Sequence, residues 1–303
     1  MGIPTVWAEM FFRHWDSFAT GNPPESSSWL SIGTVDYEVS PAAAIRLGFY
    51  DAEKFEAFVR GGGKDGELNK QLCAGMIRKL GYGTYVQLDI NDRADIAWDL
   101  NQPVPDEYRN QFQMVYDAGS IEHIANPFQG CTNLLLMAKV GGRIVHSQGI
   151  GDQTDQGYWT FNPGFVLDFY RANGCVLKEI FILDLDGAEF IFKIVPGLGG
   201  LHRYLDTRSN FLTSMQLLRH ALQQSRRPGL WQRAAVKLLD KFVGHRVKQS
   251  PSFSMIAIFE KQENVEQVTT ALQAMYAADS ILPAACTSRA STTAPPLPWP
   301  TIP

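Results

Sequence analysis

The chain has 303 residues, 45% of them hydrophobic, with 27 basic against 31 acidic side chains and a formal charge of -4. That is enough apolar material for a full core, and the near-balance of charge excludes both an acid-rich disordered chain and a polyanion-binding surface spread over the whole molecule. Cys73, Cys131, Cys175 and Cys286 lie far apart without a C-x-x-C pair, which excludes a zinc-ribbon pattern and a disulfide framework and predicts reduced thiols.

In chain order, Trp7, Phe11, Phe12 and Trp15 are spaced to cover one helical face, so residues 1–28 read as a docking helix and a loop through Gly21-Asn22-Pro23-Pro24. The N-terminus shows no basic segment followed by an apolar core, and Val6 breaks the myristoylation pattern, so neither signal peptide nor acyl anchor is expected. No apolar run reaches the roughly 18–20 residues of a membrane span, and a cytoplasmic location is expected. Trp29-Leu30-Ser31-Ile32-Gly33 predicts the first strand of a sheet, with Thr34 to Glu38 continuing as loop. Residues 41–80 are helical material broken by Gly61-Gly62-Gly63-Lys64-Asp65-Gly66. This is not a P-loop, since Lys64 is followed by Asp65 and no strand precedes it. Asn69 to Leu80 carries Leu72, Cys73, Met76 and Ile77 at helical spacing and predicts a helix packed on the sheet.

Three short apolar runs then end in acids: Tyr85 to Asp89, Ala94 to Asp99 and Gln113 to Asp117. A fourth, Gly141 to Ser147, follows a helix-like segment and a Gly-Gly turn. Buried strands alternating with helices imply a parallel sheet covered on both faces, whose ligands sit beyond the carboxyl ends of the strands. Phe165 to Ala172 predicts another helix. Val176 to Leu183 and Glu189 to Val195 predict a hairpin turning at Asp184-Leu185-Asp186-Gly187, and Ser252 to Glu260 a closing strand.

Residues 201–250, before that last strand, read as a basic helical insertion with ten basic and two acidic side chains, a net +8. Two readings stand for it: solvated helices covering a partner, or contact with an anionic membrane surface or lipid-linked substrate. The lack of interleaved aromatic and basic residues argues against nucleic acid. Residues 282–303, rich in Pro, Ser and Thr, predict a disordered tail.

The segment Gln113-Met114-Val115-Tyr116-Asp117-Ala118-Gly119-Ser120-Ile121-Glu122-His123-Ile124 is similar to the fourth strand and following Glu-His turn of the class I S-adenosylmethionine-dependent methyltransferases. Leu136 to Ile144 resembles the helix, Gly-Gly turn and fifth strand that come next. Asp99-Leu100-Asn101-Gln102-Pro103-Val104-Pro105 and Gly157-Tyr158-Trp159-Thr160-Phe161-Asn162-Pro163 resemble a methyltransferase-like branch associated with surface-sugar biosynthesis. The resemblance runs from about Trp29 to Phe192. It implies an α/β, Rossmann-like, mostly parallel seven-stranded sheet with helices on both faces, in a domain spanning 29–265.

The same resemblance implies S-adenosyl-L-methionine as cofactor, lying across Gly33, Asp89, Asp99 and Leu100, with Asp117 facing its methionine part or the acceptor. Asp89 would accept both ribose hydroxyls, charge-assisted bonds each contributing about 1.5–3 kcal/mol. His123, with Glu122, would act as general base on a small-molecule or sugar acceptor, an imidazole having an unperturbed pKa of about 6.5. The loop from His146 to Asn162 would offer aromatic faces to that acceptor. Two departures from the family stand out. Only Gly33 follows the first strand, a degenerate glycine motif, and Gly119 stands where metal-binding relatives carry an acid, so no metal is expected. The plainer readings are helix caps or turns for the aspartates, a hydrogen bond at a helix start for His123, and core packing for Trp159 and Phe161. The rival function is a non-catalytic protein of the methyltransferase fold that binds a partner or an anionic membrane surface through its basic insertion.

Overall fold

The structure is a computed structural model that describes residues 2–14, 26–63, 66–151, 157–184, 191–194, 201–202 and 253–269. Trp15, the predicted loop through Pro24, the basic insertion beyond its first two residues and the 282–303 tail lie outside the described residues.

Gly2–Pro4 (β1) pairs in parallel with Asp36–Glu38 (β3), setting Ile3 opposite Tyr37. Thr5–Arg13 (α1) follows and buries Trp7, Met10 and Phe11. The Phe11 ring meets Trp29 and Tyr116 edge-on at 5.7 and 5.4 Å, which docks the helix on the sheet. The strand β3 stands where the sequence predicts loop. Its partner lies over thirty residues away, beyond the reach of any local pattern.

Ser28–Ile32 (β2) sits within the main sheet, with Thr84–Asp89 (β4) and Phe112–Asp117 (β6) parallel to it on either side. Strand alternation sends Trp29, Met114 and Tyr116 to a core shared with α1 and with Gly66–Lys79 (α4). It sends Leu30, Ile32 and Val115 to a second core shared with Pro127–Met137 (α5) and Pro163–Ala172 (α6). Between β3 and α4 lie Pro41–Leu47 (α2) and Ala52–Arg60 (α3), capped by Ser40 and Asp51, whose side chains accept from Ala43 N and Lys54 N. Asn-Pro pairs start α5 and α6: the side chains of Asn126 and Asn162 accept from Gln129 N and Gly164 N, and proline takes the first helical position.

The remaining strands are Ile96–Ala97 (β5), Ala138–Gly151 (β7), Cys175–Asp184 (β8), Ile191–Ile194 (β9), Leu201–His202 (β10) and Phe253–Lys261 (β11). The sheet order is β10-β9-β8-β11-β7-β6-β2-β4-β5. Within it, β8-β11-β7-β6-β2-β4-β5 make the expected seven-stranded, mostly parallel unit, in which β11 alone opposes the rest. The expectation needs one correction: β9 and β10 extend the edge by antiparallel pairing, so among the described residues the sheet is mixed and has nine strands. The chain moves outward from β2 through β4 to β5, then returns to place β6 and β7 on the other side of β2. That reversal falls at the carboxyl ends of β2 and β6, the position where open α/β sheets form their ligand crevice. No helix among the described residues is long and apolar enough to cross a membrane.

Lys261, at the end of β11, is fully buried and fastens this frame. Its ammonium donates to Asn110 Oδ1 at 2.7 Å, Leu135 O at 3.0 Å and Ala138 O at 2.8 Å, so it caps α5. Asn110, at φ 55°, donates its own N–H to Leu136 O at 2.8 Å. Burial pushes the Lys261 pKa down from 10.5 to about 8. The unfolded lysine therefore holds its proton longer than the folded one, and the protein gains stability as pH rises from about 8 towards 10.5. We predict that Lys261→Met, which strands these acceptors, costs about 1–3 kcal/mol in urea unfolding at pH 7 and abolishes that alkaline gain. An unchanged stability and pH profile would show the cap to be dispensable.

Candidate functional site

Three strand ends meet the crevice at one rim. Gly33 adopts φ 84° directly after β2, and its N–H donates to Leu88 O at 2.6 Å, turning the chain across the end of β4. A second left-handed glycine, Gly119 at φ 90°, follows β6, and Ser120 Oγ donates to Ile32 O at 2.7 Å, tying the two turns together. Backbone thus comes close to the crevice from two adjacent strands, although the sequence after β2 contains one glycine. Val35 and Tyr37 do not stand in it, because both side chains are buried in the core beneath α1 and α4.

Asp89 ends β4 at this rim. Its Oδ2 accepts Thr34 N at 2.7 Å and its Oδ1 accepts Ile90 N at 2.7 Å, so backbone takes part of its capacity and lone pairs remain. The neighbouring Ile90 is 75% exposed, an apolar side chain held out at the strand end. Asp99 follows β5 at the same rim. Its Oδ1 accepts both N and Nδ2 of Asn101, at 2.9 and 2.8 Å, the turn that the plainer reading foresaw. Leu100 is buried, and its carbonyl accepts from Asn133 Nδ2, which also donates to Gln102 O and fixes this loop on α5.

Asp117 departs from expectation. Its side chain is fully buried, because β6 lies inside the sheet between β2 and the long β7, whereas β4 has only the two-residue β5 on its outer side. Its Oδ1 accepts Ser120 N at 2.8 Å and Ile121 N at 3.4 Å. Its Oδ2 meets His146 Nδ1 at 3.0 Å and accepts Gln148 Nε2. His146 Nε2 in turn lies 2.7 Å from the hydroxyl of Tyr170 on α6. With its amide fixed by Asp117, Gln148 leaves a buried Oε1 without a donor among the described residues.

His146 and Gln148, expected in a loop from His146 to Asn162, belong instead to β7, which runs on to Gly151, and the sequence offered neither them nor Tyr170 as site residues. The available signal was polar residues at alternate positions of an otherwise apolar strand, beside an acid on its neighbour. Tyr170, on the buried face of α6 with Val166 and Phe169, gave no such signal.

The 3-10 turn Ile121–His123 starts at this carboxylate and carries the predicted pair. Glu122 is 8% exposed and its Oε2 accepts Gly149 N at 3.3 Å, while His123, partly exposed, holds Nε2 3.6 Å from Glu122 Oε1. Burial and the nearby Asp117 charge push the Glu122 carboxyl up to about 7, against the opposing pull of Gly149 N–H. Glu122 O accepts Tyr158 N at 2.8 Å and Trp159 N at 3.2 Å, and Trp159 Nε1 donates to Ile124 O at 2.9 Å. A Cβ at Gly157 would stand 2.8 Å from Glu122 O, so this approach requires glycine. The anchored segment presents Tyr158, 79% exposed, and Trp159, 47% exposed, beside the turn; Phe161 is buried.

No protein-family model matches the chain, and no curated protein matches it. Among solved structures it is similar to a Galdieria sulphuraria protein provisionally assigned as a sarcosine dimethylglycine methyltransferase, at 8% identity and TM-score 0.42, over 84% of this chain and 85% of that one. It is also similar to phosphoethanolamine N-methyltransferase 2 of Haemonchus contortus, at 12% identity and TM-score 0.38, over 84% of this chain but 53% of that one, about half its length. A third is geranyl diphosphate C-methyltransferase of Streptomyces coelicolor A3(2), at 12% identity and TM-score 0.34, over 84% and 76%. These neighbours are methyltransferases. Likenesses this distant assign no family or activity to the chain.

The raised Glu122 pKa makes a prediction about stability. The unfolded side chain ionises near 4.5 and the folded one near 7, so the group's contribution is complete below 4.5 and is lost as pH rises through 7. Glu122→Gln should remove that decline, and near pH 7.5 should be more stable than wild type, relative to pH 4.5, by on the order of 1–3 kcal/mol after solvent screening. Parallel pH profiles of the two proteins in chemical denaturation would place the Glu122 carboxyl at its ordinary value.

Proposed function

We propose that the chain is an S-adenosylmethionine-dependent methyltransferase acting on a small-molecule acceptor, with a saccharide as the favoured type. The observation that carries this is the strand-order reversal beside β2, where left-handed glycines follow both β2 and β6 and Asp89 ends the adjoining strand with a carboxylate that backbone N–H groups occupy only in part. The donors and acceptors there suit the cofactor: Asp89 for ribose hydroxyls, Ile90 and Leu100 for the base, Asp99 for its amino group, and the orphaned Gln148 Oε1 for an ammonium.

When bound, S-adenosylmethionine supplies an electrophilic methyl group on a sulfonium. The chain's own work is orientation and proton removal. His123 takes the proton of an acceptor hydroxyl, and Glu122, 3.6 Å away, stabilises the imidazolium to the extent that it is ionised. Tyr158 and Trp159 offer flat apolar faces of the kind that sugar rings stack on. Asp117 takes no direct part and holds the turn.

A non-catalytic reading draws on the Asp89 carboxylate already accepting two strong backbone N–H bonds. The basic 201–250 insertion would then bind a partner or an anionic membrane surface.

Isothermal calorimetry with S-adenosylhomocysteine separates the two. Wild type should bind, and Asp89→Ala should weaken binding at least tenfold, about 1.4 kcal/mol. Undiminished binding by the variant removes Asp89 from the site, and absence of binding by wild type favours the non-catalytic protein.

A further inference from the structure

We infer that His146 and Tyr170 are positioning residues: acting through Asp117, they hold the turn that presents Glu122 and His123 to the acceptor. The chemical purpose rests on the methyltransferase reading, while the relay itself stands on geometry. Asp117 is an acceptor only, so His146 Nδ1 carries a hydrogen and donates to Oδ2 across 3.0 Å. Burial pushes the Tyr170 pKa well up, so its hydroxyl keeps the proton, and it lies 2.7 Å from His146 Nε2 in hydrogen-bond contact with the ring. The chain of bonds connects α6 through β7 to β6. It ends on the carboxylate whose other oxygen accepts the N–H groups of Ser120 and Ile121, the first residues of the turn.

A purely structural cluster does not require this arrangement. Tyr170, His146 and Asp117 are fully buried, and packed apolar side chains could fill the same space without the cost of desolvating a carboxylate. The titratable groups facing Tyr170 from elsewhere are Cys131 on α5 and Cys175 at the start of β8, and burial pushes both thiols up, so neither brings charge. Those facing Glu122 are Asp117 from β6 and His123 on its own turn, with Gly149 N–H from β7. The negative charge beside Glu122 is thus that of Asp117, and the relay controls both where the turn sits and what Glu122 experiences.

The test is NMR on the full chain with labelled Glu carboxyls and backbone amides. Asp117→Asn should lower the Glu122 titration midpoint by at least one pH unit, and an unmoved midpoint overturns the electrostatic half of the inference. Tyr170→Phe and His146→Leu should each lower hydrogen-exchange protection of the Ser120 and Ile121 amides at least fivefold, with the β11 amides of Met255 to Ile258 unchanged. His146→Asn, whose amide nitrogen takes the place of Nδ1, should restore most of it. Undiminished protection in Tyr170→Phe, or equal loss in His146→Leu and His146→Asn, overturns the relay even if Asp117→Asn fails to fold. Calorimetry of S-adenosylhomocysteine with wild type should show binding. Lack of binding by wild type counts against the methyltransferase reading, and the relay is then decided by the exchange data alone.

Discussion

A carboxylate removed from water is costly, and Asp117 meets that cost with hydrogen-bond donors on both of its oxygens. Two come from the backbone that follows it, one from a histidine on the next strand and one from a glutamine two residues further along that strand. The donors come from two segments, the turn that follows β6 and the strand β7, so the bonds form together only when β6, β7 and that turn are in their final places. The carboxyl rim of the sheet inherits its geometry from this one residue. Ser120, pinned by Asp117, reaches across to Ile32 and fixes the spacing between the two glycine turns.

The difference between Asp117 and the other strand-end acids is one of neighbourhood. Asp89 and Asp99 terminate strands near the sheet edge, where solvent or a ligand can reach them, and backbone or a nearby amide takes only part of their capacity. Asp117 ends a central strand covered by α5 and α6. The chemistry of the rim is therefore divided. The outer acids are open to a polar ligand, and the inner one organises the residues that would work on an acceptor.

This division also marks what could be read from residues alone. The runs ending at Asp89 and Asp117, the antiparallel pair of β8 and β9, the helix carrying Leu72 to Ile77 and the closing strand all emerge from local periodicity and are present, whereas of the run Ala94 to Asp99 only Ile96–Ala97 is strand and the turn after Asp184 lies outside the described residues. The Glu122–His123 turn was legible because its neighbours in sequence are its neighbours in space. The bonds from Asp117 to His146 and from His146 to Tyr170 span 29 and 24 residues, and no local pattern carries them. In sequence Asp117 looks like Asp89, since burial depends on which strands flank it. The same holds for the β1–β3 pairing and for Lys261, a surface-type residue whose buried role depends on carbonyls more than a hundred residues away.

The account stands on the crevice between β2 and β6 being a nucleoside-binding cleft built on this buried carboxylate. The most direct measurement is an amide chemical-shift map recorded while S-adenosylhomocysteine is added to the full chain. The account predicts changes concentrated at Gly33, Thr34, Asp89 to Asn91, Asp99 to Asn101 and Gly119 to Ser120, with the α1 and β3 amides little affected. A spectrum that does not change, or changes centred away from this rim, would contradict it.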